Sequence, residues 1–302
     1  MRTPRTRTMI LTAMVGVLAL AGCAGGDGDE EEPPLGQTPK VMRPADVPSL
    51  PMNQYVLDEK EMRAYTQAQA VLSRRCMERF GMSWLTDAQV TADLPNLGAD
   101  PVRYFTIIDA EAARLHGYGD PDGQDAKEKG GTGGYEPTAA ERAVYDGTAK
   151  GVTDTAGKPL PEGGCAAEVD KEMKLGGAEG VNPLTVGNEF YSLYAKVLRD
   201  SRVTGAFTNW SACMKEKGFA YQTPLDAAND TEWKSGAATR AAIAVATADV
   251  ACKQQHNTVG IWYAAMAAHQ NAYIDKKAEH FSEVLANKKA LVENSARIMQ
   301  GA

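Results

Sequence analysis

The apolar residues of this chain recur at spacings of three and four over most of its length after residue 57, which is the pattern of amphipathic helices. The clearest helix start is Asp58 followed by Glu61, a capping box, and the apolar stripe behind it continues to Phe80. Runs rich in Val and Ile are scarce, and we expect at most one small hairpin, at residues 151–160. The pattern predicts an all-α fold: a helical bundle with irregular loops rich in glycine and proline.

Two of the predicted helices share a short pattern around a cysteine. Cys76-Met77 and Cys213-Met214 are each followed by mostly charged residues and by a glycine suited to ending a helix. One further cysteine follows each pattern, Cys165 after the first and Cys252 after the second. The repeat favours disulfides Cys76–Cys165 and Cys213–Cys252 among the three possible pairings. A zinc site is the alternative use of these thiols, and the absence of a C-x-x-C spacing argues against it.

We therefore expect two helical modules, residues 57–182 with a loop insertion and residues 183–302 with a long C-terminal helix. The last part of that helix carries a narrow apolar seam among charged residues: Ile274, Ala278, Phe281, Leu285 and Val292. Two interpretations stay open. The seam packs along the Asp58–Phe80 helix and closes the bundle, or it offers Phe281, Leu285 and Val292 to a partner protein.

The N-terminus has the features of a bacterial lipoprotein precursor. Three arginines precede a short apolar run that ends in Leu20-Ala21-Gly22-Cys23, a lipobox. We expect residues 1–22 to be a signal peptide and Cys23 to carry acyl chains that attach the protein to the outer face of the cell membrane. Residues 23–56 are acidic and proline-rich, which predicts a disordered linker between the lipid and the folded part.

The charge of the chain limits its partners. Removal of residues 1–22 would take away three arginines and no acidic residue, leaving 29 basic and 39 acidic side chains and a net charge of −10. A surface of that sign is repelled by nucleic-acid phosphates, so we expect no nucleic-acid partner. The membrane is reached through the lipid anchor and not through charge.

The sequence carries no motif for catalysis, and we predict no catalytic residue, no metal site and no cofactor. G-x-S-x-G, H-E-x-x-H, S-x-x-K and P-loop patterns are all missing. His280 lies among glutamates in the C-terminal helix, as expected of a solvated helix face. Scattered carboxylates such as Glu162 and Glu168 leave a hydrolase as an alternative.

Three groups of residues resemble secreted lipoproteins of actinobacteria, a family of unknown function. They are Val102-Arg103-Tyr104 with Asp109 and Gly117-Tyr118-Gly119, Pro161-Glu162-Gly163-Gly164-Cys165 with Glu168, and Trp210-Ser211-Ala212-Cys213-Met214 with Gly218. The resemblance covers most of residues 60–260. It implies an extracytoplasmic location and paired cysteines, and it implies no activity.

Taken together, these features predict a lipid-anchored cell-envelope protein that binds or scaffolds another component without catalysis. A solute-binding lipoprotein of an uptake system is the first alternative, although such proteins are built from repeated βαβ units, which this pattern lacks. An envelope hydrolase with carboxylate catalysis is the second.

Overall fold

The computed structural model describes residues 32–84, 105, 107–119, 135–177, 179–233 and 238–301. The signal peptide and Cys23 of the sequence prediction lie outside these ranges, and residues 33–302 form one compact unit. None of the helices in the described ranges is both long and apolar enough to cross a membrane.

The described part of the chain contains ten α-helices and two disulfides, which confirms the predicted all-α fold. The helices are α1 Glu59–Arg79, α2 Ala110–His116, α3 Ala139–Tyr145, α4 Gly164–Met173, α5 Val186–Val197, α6 Ser201–Glu216, α7 Pro224–Ala228, α8 Arg240–Gln255, α9 Thr258–Lys276 and α10 Ala278–Gln300. Short 3₁₀ turns occur at Pro44–Asp46, Pro51–Tyr55, Pro183–Thr185 and Thr231–Trp233. At residues 151–160 the hairpin is reduced to a single antiparallel bridge, Thr153–Pro159.

Local sequence signals explain where several helices begin and end. Asp58 forms the predicted capping box with Glu61, and Thr138 forms a second one with Glu141. α2 ends at Gly117, whose φ of 63° favours glycine. The sequence also offers Asp230 as a cap for the alanine-rich helix that follows, but α8 begins ten residues later behind Thr239. The Asp230 carboxylate instead accepts hydrogen bonds from Tyr221 and the Glu232 amide.

Helix α9 is the centre of the bundle. It packs against α5, α6 and α8, and also against the Pro51–Tyr55 turn. Trp262 of α9 lies edge-on to Phe105 and Tyr194, with ring centroids 5.1 and 6.1 Å away. Because α9 is apolar on several faces, it is buried within the protein and does not form an outer layer.

The C-terminal helix breaks at Lys277 and returns along α1. The prediction of one uninterrupted helix is therefore wrong, and the bundle-closing interpretation is confirmed, because α10 packs chiefly on α1 and also on α4. The inward face differs from the predicted seam: it consists of Phe281, Val284, Asn287, Leu291, Asn294, Ser295 and Ile298. Asn287 donates to the Val181 carbonyl at 2.6 Å, and Asn294 donates to the Met173 and Leu175 carbonyls. Two polar positions thus belong to the packed face.

These contacts also change the predicted division into modules. α10 belongs to the predicted second module, residues 183–302, yet its main neighbours α1 and α4 belong to the first. The boundary at residue 182 is therefore not a boundary in the packing.

Residues 33–56, called the strap below, are ordered, contrary to the prediction of a linker. The sequence assigned them to a disordered linker, but Val41, Leu50, Met52 and Tyr55 are buried in the central core. Tyr55 packs on Phe281 of α10 at a centroid distance of 4.7 Å. Leu35, Val47 and Val56 pack against the same core, so the apolar residues of the strap are part of the folded body.

The predicted disulfide pairing is confirmed. Cys76 is bonded to Cys165, joining α1 to the start of α4, and Cys213 is bonded to Cys252, joining α6 to α8. The Cα atoms of the two pairs are 5.7 and 5.8 Å apart. All four cysteines are buried, so each disulfide links helices inside the core.

Candidate functional site

The most specific polar arrangement in the described residues holds the strap against the α8–α9 junction. Asn257 donates from Nδ2 to the Pro39 carbonyl at 2.9 Å, and its Oδ1 accepts from the Val41 amide at 3.2 Å. One amide side chain thus bonds the main chain of an extended segment on both sides of Lys40. Asn257 has a φ of 48°, in the left-handed region that asparagine tolerates better than most residues.

Gly260, in the first turn of α9, allows the strap to approach this closely. A Cβ built at Gly260 would lie 2.0 Å from the Pro39 carbonyl oxygen and 2.5 Å from Asn257 Oδ1. No side chain fits in that space without displacing the strap. Asn257 and Gly260 therefore act together, one bonding the strap and the other making room for it.

Four further side chains of the helices bond the strap main chain along its length, and one of them, Gln254, donates to the Met42 carbonyl at 2.6 Å. Gln270 Oε1 accepts from the Met52 amide at 2.9 Å, and Lys288 Nζ donates to the Gln54 carbonyl at 3.2 Å. At the start of the strap, Arg202 Nη1 donates to the Pro33 carbonyl at 2.8 Å. The strap is thus bonded at both ends and in the middle.

A buried ion pair holds the segment around α2. Lys253 Nζ lies 2.7 Å from Asp249 Oδ2 and donates to the carbonyls of Phe105 and Ile107 at 3.0 and 2.9 Å. Asp249 also accepts from Trp210 Nε1 at 2.9 Å and from the Tyr118 hydroxyl at 3.1 Å. All three Lys253 donors and both Asp249 oxygens are engaged, as a buried pair requires. The pair joins α6, α8 and the segment containing α2.

Burial dominates the titration of this pair. Loss of water raises the pKa of Asp249 and lowers the pKa of Lys253, although each charge partly offsets the effect on the other. Burial, followed by the Asp249 charge, raises the pKa of Tyr118. Every group in this cluster is occupied by a neighbour, so its chemistry is that of a structural connection.

A second buried carboxylate lies where α5 meets α6. Asp200 caps α6 and is bonded by the Arg202 guanidinium, and its Oδ2 lies 3.0 Å from His269 Nε2. Burial acts to raise its pKa, but the hydrogen bonds from Arg202 and His269 outweigh burial and lower the pKa of Asp200 to about 2. Since Arg202 also bonds Pro33, this cluster connects the α5–α6 corner to the start of the strap.

A third polar cluster surrounds the break between α9 and α10. Glu189 of α5 lies 3.0 Å from His280 Nε2 and 3.5 Å from Lys277 Nζ, and Lys277 also bonds the Tyr273 hydroxyl. Burial raises the pKa of Glu189, but bonds from Tyr273, His280 and Lys277 outweigh burial and lower it. His280 thus forms a hydrogen bond with Glu189 of a neighbouring helix.

The predicted partner-binding residues are not all available at the surface. Phe281 is buried against Tyr55, so its prediction as a partner contact is wrong. Val292 is half-buried, and Leu285 is 45% exposed. Leu285 lines an open, shallow groove together with Ser282, Ala286, Lys288 and Lys289. The exposed part of the predicted surface is therefore centred on Leu285.

The carboxylates of the hydrolase alternative do not form a pair. Glu168 lies in α4 and is bonded by Arg79 at 2.6 Å, whereas Glu162 is exposed on the turn before that helix. Within the described ranges no three His, Cys, Asp or Glu side chains come together as a metal site requires.

Sequence reasoning missed the side chains that hold the segments together: Asn257, Gly260, Gln270, Asp249 and Lys253. One signal was available for the last two. Asp249 and Lys253 are charged residues in a helix whose remaining positions are mostly Ala, Val and Cys, and such a helix has no wide polar face to carry them.

Comparison of the chain with protein-family models, with curated proteins and with solved structures finds no match.

Proposed function

We propose that the protein is a lipid-anchored, extracytoplasmic cell-envelope protein that binds or scaffolds another component without catalysis. The observation that carries the proposal is the lipobox Leu20-Ala21-Gly22-Cys23 behind a short apolar run. Two buried disulfides support it, because such bonds persist in oxidising compartments outside the cytoplasm.

The non-enzymatic part of the proposal is supported by how the buried ionisable groups are used. Asp249, Lys253 and Asp200 each bond neighbouring helices or loop carbonyls. Catalytic acids and bases need a free position facing a substrate, whereas these side chains are surrounded by the protein itself. Such an arrangement is suited to a rigid body that presents its surface to a partner.

Substitution of the proposed lipid acceptor tests the anchor. Cys23→Ser should leave an unprocessed precursor or release the protein from the membrane fraction, because acyl chains contribute about 0.8 kcal/mol per buried methylene to binding. Ala24→Ser, which keeps the cysteine, should fractionate like the wild type. Fractionation and the mass of the N-terminal peptide are the measurements. A cleaved chain without lipid that stays on the membrane would refute the anchor.

A further inference from the structure

The folded body begins much closer to Cys23 than the composition of the chain indicates. The Pro33 carbonyl is bonded by Arg202, and six residues later Pro39 is bonded by Asn257. Val41, Leu50, Met52 and Tyr55 then enter the central core. The part of the chain that connects the proposed lipid to the body is therefore residues 24–32, and not residues 24–56.

The length of this tether limits where the body can sit. Ten residue steps separate Cys23 from Pro33, and a fully extended chain of that length reaches about 36 Å. For comparison, a random coil of ten residues has a root-mean-square length of roughly 16–19 Å, well below this limit. A tether reaching to residue 56 would extend to about 110 Å and would leave the orientation of the body unrestricted.

The body is wider than the tether is long. A compact unit of about 270 residues has a radius of gyration of about 18 Å, which corresponds to a diameter of about 48 Å. With Pro33 held on one side of such a body, about 36 Å of chain cannot reach a bilayer beneath the opposite side. The side that carries Pro33 therefore cannot be the side turned away from the lipid.

We propose that the α5–α6 corner, with Lys196, Arg199 and Arg202 around the Pro33 attachment, is the surface that faces the membrane. The inference rests on the lipid anchor proposed above. The corner is connected to the start of the tether by the Arg202–Pro33 bond, and Asp200 fixes Arg202 in place.

Two exposed positions report the orientation. Arg199 lies at the corner, and Ala156 lies beside Thr155, whose amide bonds the Arg79 carbonyl at the end of α1. Arg75 bonds Gly301, so that end of α1 meets the end of α10, a helix of 23 residues. Lys288 contacts Glu61 at the start of α1 and the Gln54 carbonyl of the strap. Further along the strap, Met52 bonds Gln270, the neighbour of His269, which bonds Asp200 at the corner. The corner is therefore connected to the start of α1, whereas Ala156 lies at the end of this 21-residue helix, about 31 Å along it.

The test uses the full lipidated chain in vesicles that contain an acceptor-labelled phospholipid. Arg199→Cys and Ala156→Cys are each labelled with a donor dye, since the four other mature cysteines are in disulfides. Energy transfer should be about twofold or more higher from position 199, because the tether keeps that side near the bilayer. Insertion of about 24 Gly/Ser residues after Ala24 should remove most of the difference.

Each outcome is informative. Equal transfer from the two positions with the native tether, or higher transfer from position 156, overturns the proposed orientation. The mass of the Cys23 peptide separates the two proposals. An unlipidated Cys23 refutes the anchor and the orientation with it, whereas a lipidated Cys23 with equal transfer refutes the orientation alone.

Discussion

Two aspartate–lysine pairs of this protein have the same spacing and nearly the same geometry in opposite surroundings. In α8, Lys253 Nζ lies 2.7 Å from Asp249, and the side chains are 1% and 0% exposed. At the end of α4, Lys174 Nζ lies 2.8 Å from Asp170, and the side chains are 48% and 60% exposed. The distance between the charges therefore says little about how much each pair contributes to the stability of the folded protein.

The difference lies in the other partners of each pair. The exposed pair is solvated, and such i,i+4 pairs contribute about 0.3–0.5 kcal/mol. The buried pair has lost its water, and its charges are compensated by two loop carbonyls, an indole N–H and a phenol hydroxyl. The buried pair specifies which segments of the chain pack together. Removing one of its members is strongly destabilising, because the other charge is then buried without a partner.

The largest loss in free energy of unfolding is therefore expected for Lys253→Met. Methionine fills a similar volume but leaves the Asp249 carboxylate and the Phe105 and Ile107 carbonyls without their main donor. Removing one member of a buried pair costs about 3–5 kcal/mol. Urea unfolding at neutral pH measures the loss in free energy of unfolding.

The double variant Asp249→Asn/Lys253→Met sharpens this prediction. Asparagine is uncharged and can still accept from Trp210, so the double variant should be more stable than Lys253→Met alone. A loss below about 1 kcal/mol for the single variant would mean that water enters the site and solvates Asp249.

An intermediate loss of stability is expected when Asp200 is substituted. Asp200 is a buried carboxylate whose partners reach solvent. Its pKa is about 2 in the folded protein against an ordinary value of 3.8. A carboxyl with a lowered folded-state pKa stabilises the protein above its unfolded-state pKa, and this contribution is lost as the pH falls from about 4 to about 2. The shift corresponds to about 2 kcal/mol.

Asp200→Asn isolates this contribution from that of other carboxyl groups. The wild type should be more stable than the variant at about pH 5, and its advantage should shrink by about 2 kcal/mol towards about pH 2. Urea unfolding of both proteins across this range is the measurement. An advantage that does not change with pH would show that Asp200 has an ordinary pKa.

The smallest effect is expected for Lys174→Met. The exposed Asp170 regains water when its partner is removed, so the free energy of unfolding should change by less than about 0.5 kcal/mol. Unfolding at low and high salt provides the readout, since salt already screens the pair in the wild type. A loss comparable to that of Lys253→Met would remove the distinction between the two pairs.

The sequence predicts these two pairs equally well as i,i+4 pairs, and it cannot assign their burial from spacing alone. The local signals with a fixed geometry were predictable. They include the capping boxes at Asp58 and Thr138, the helix end at Gly117, and the pairing of the four cysteines.

The strap and α10 were harder to predict, for different physical reasons. The strap has many prolines and scattered apolar residues, so its composition resembles a linker, and its order comes from side chains more than 150 residues away, such as Asn257. In α10 the inward face contains Asn287 and Asn294, which a hydrophobic pattern counts as surface positions. The pattern was therefore assigned to a rotated face that includes Leu285.

The bonds between the strap and Asn257 also determine an order of events during synthesis. Val41 and Asn257 are 216 residues apart, and Met52 and Gln270 are 218 apart. At translation rates of roughly 5–20 residues per second, the residues that bind the strap are synthesised about 10–40 s after it. During that interval its four core side chains have no native partners. The first segment that the structure describes is thus bonded by residues synthesised more than 200 positions later.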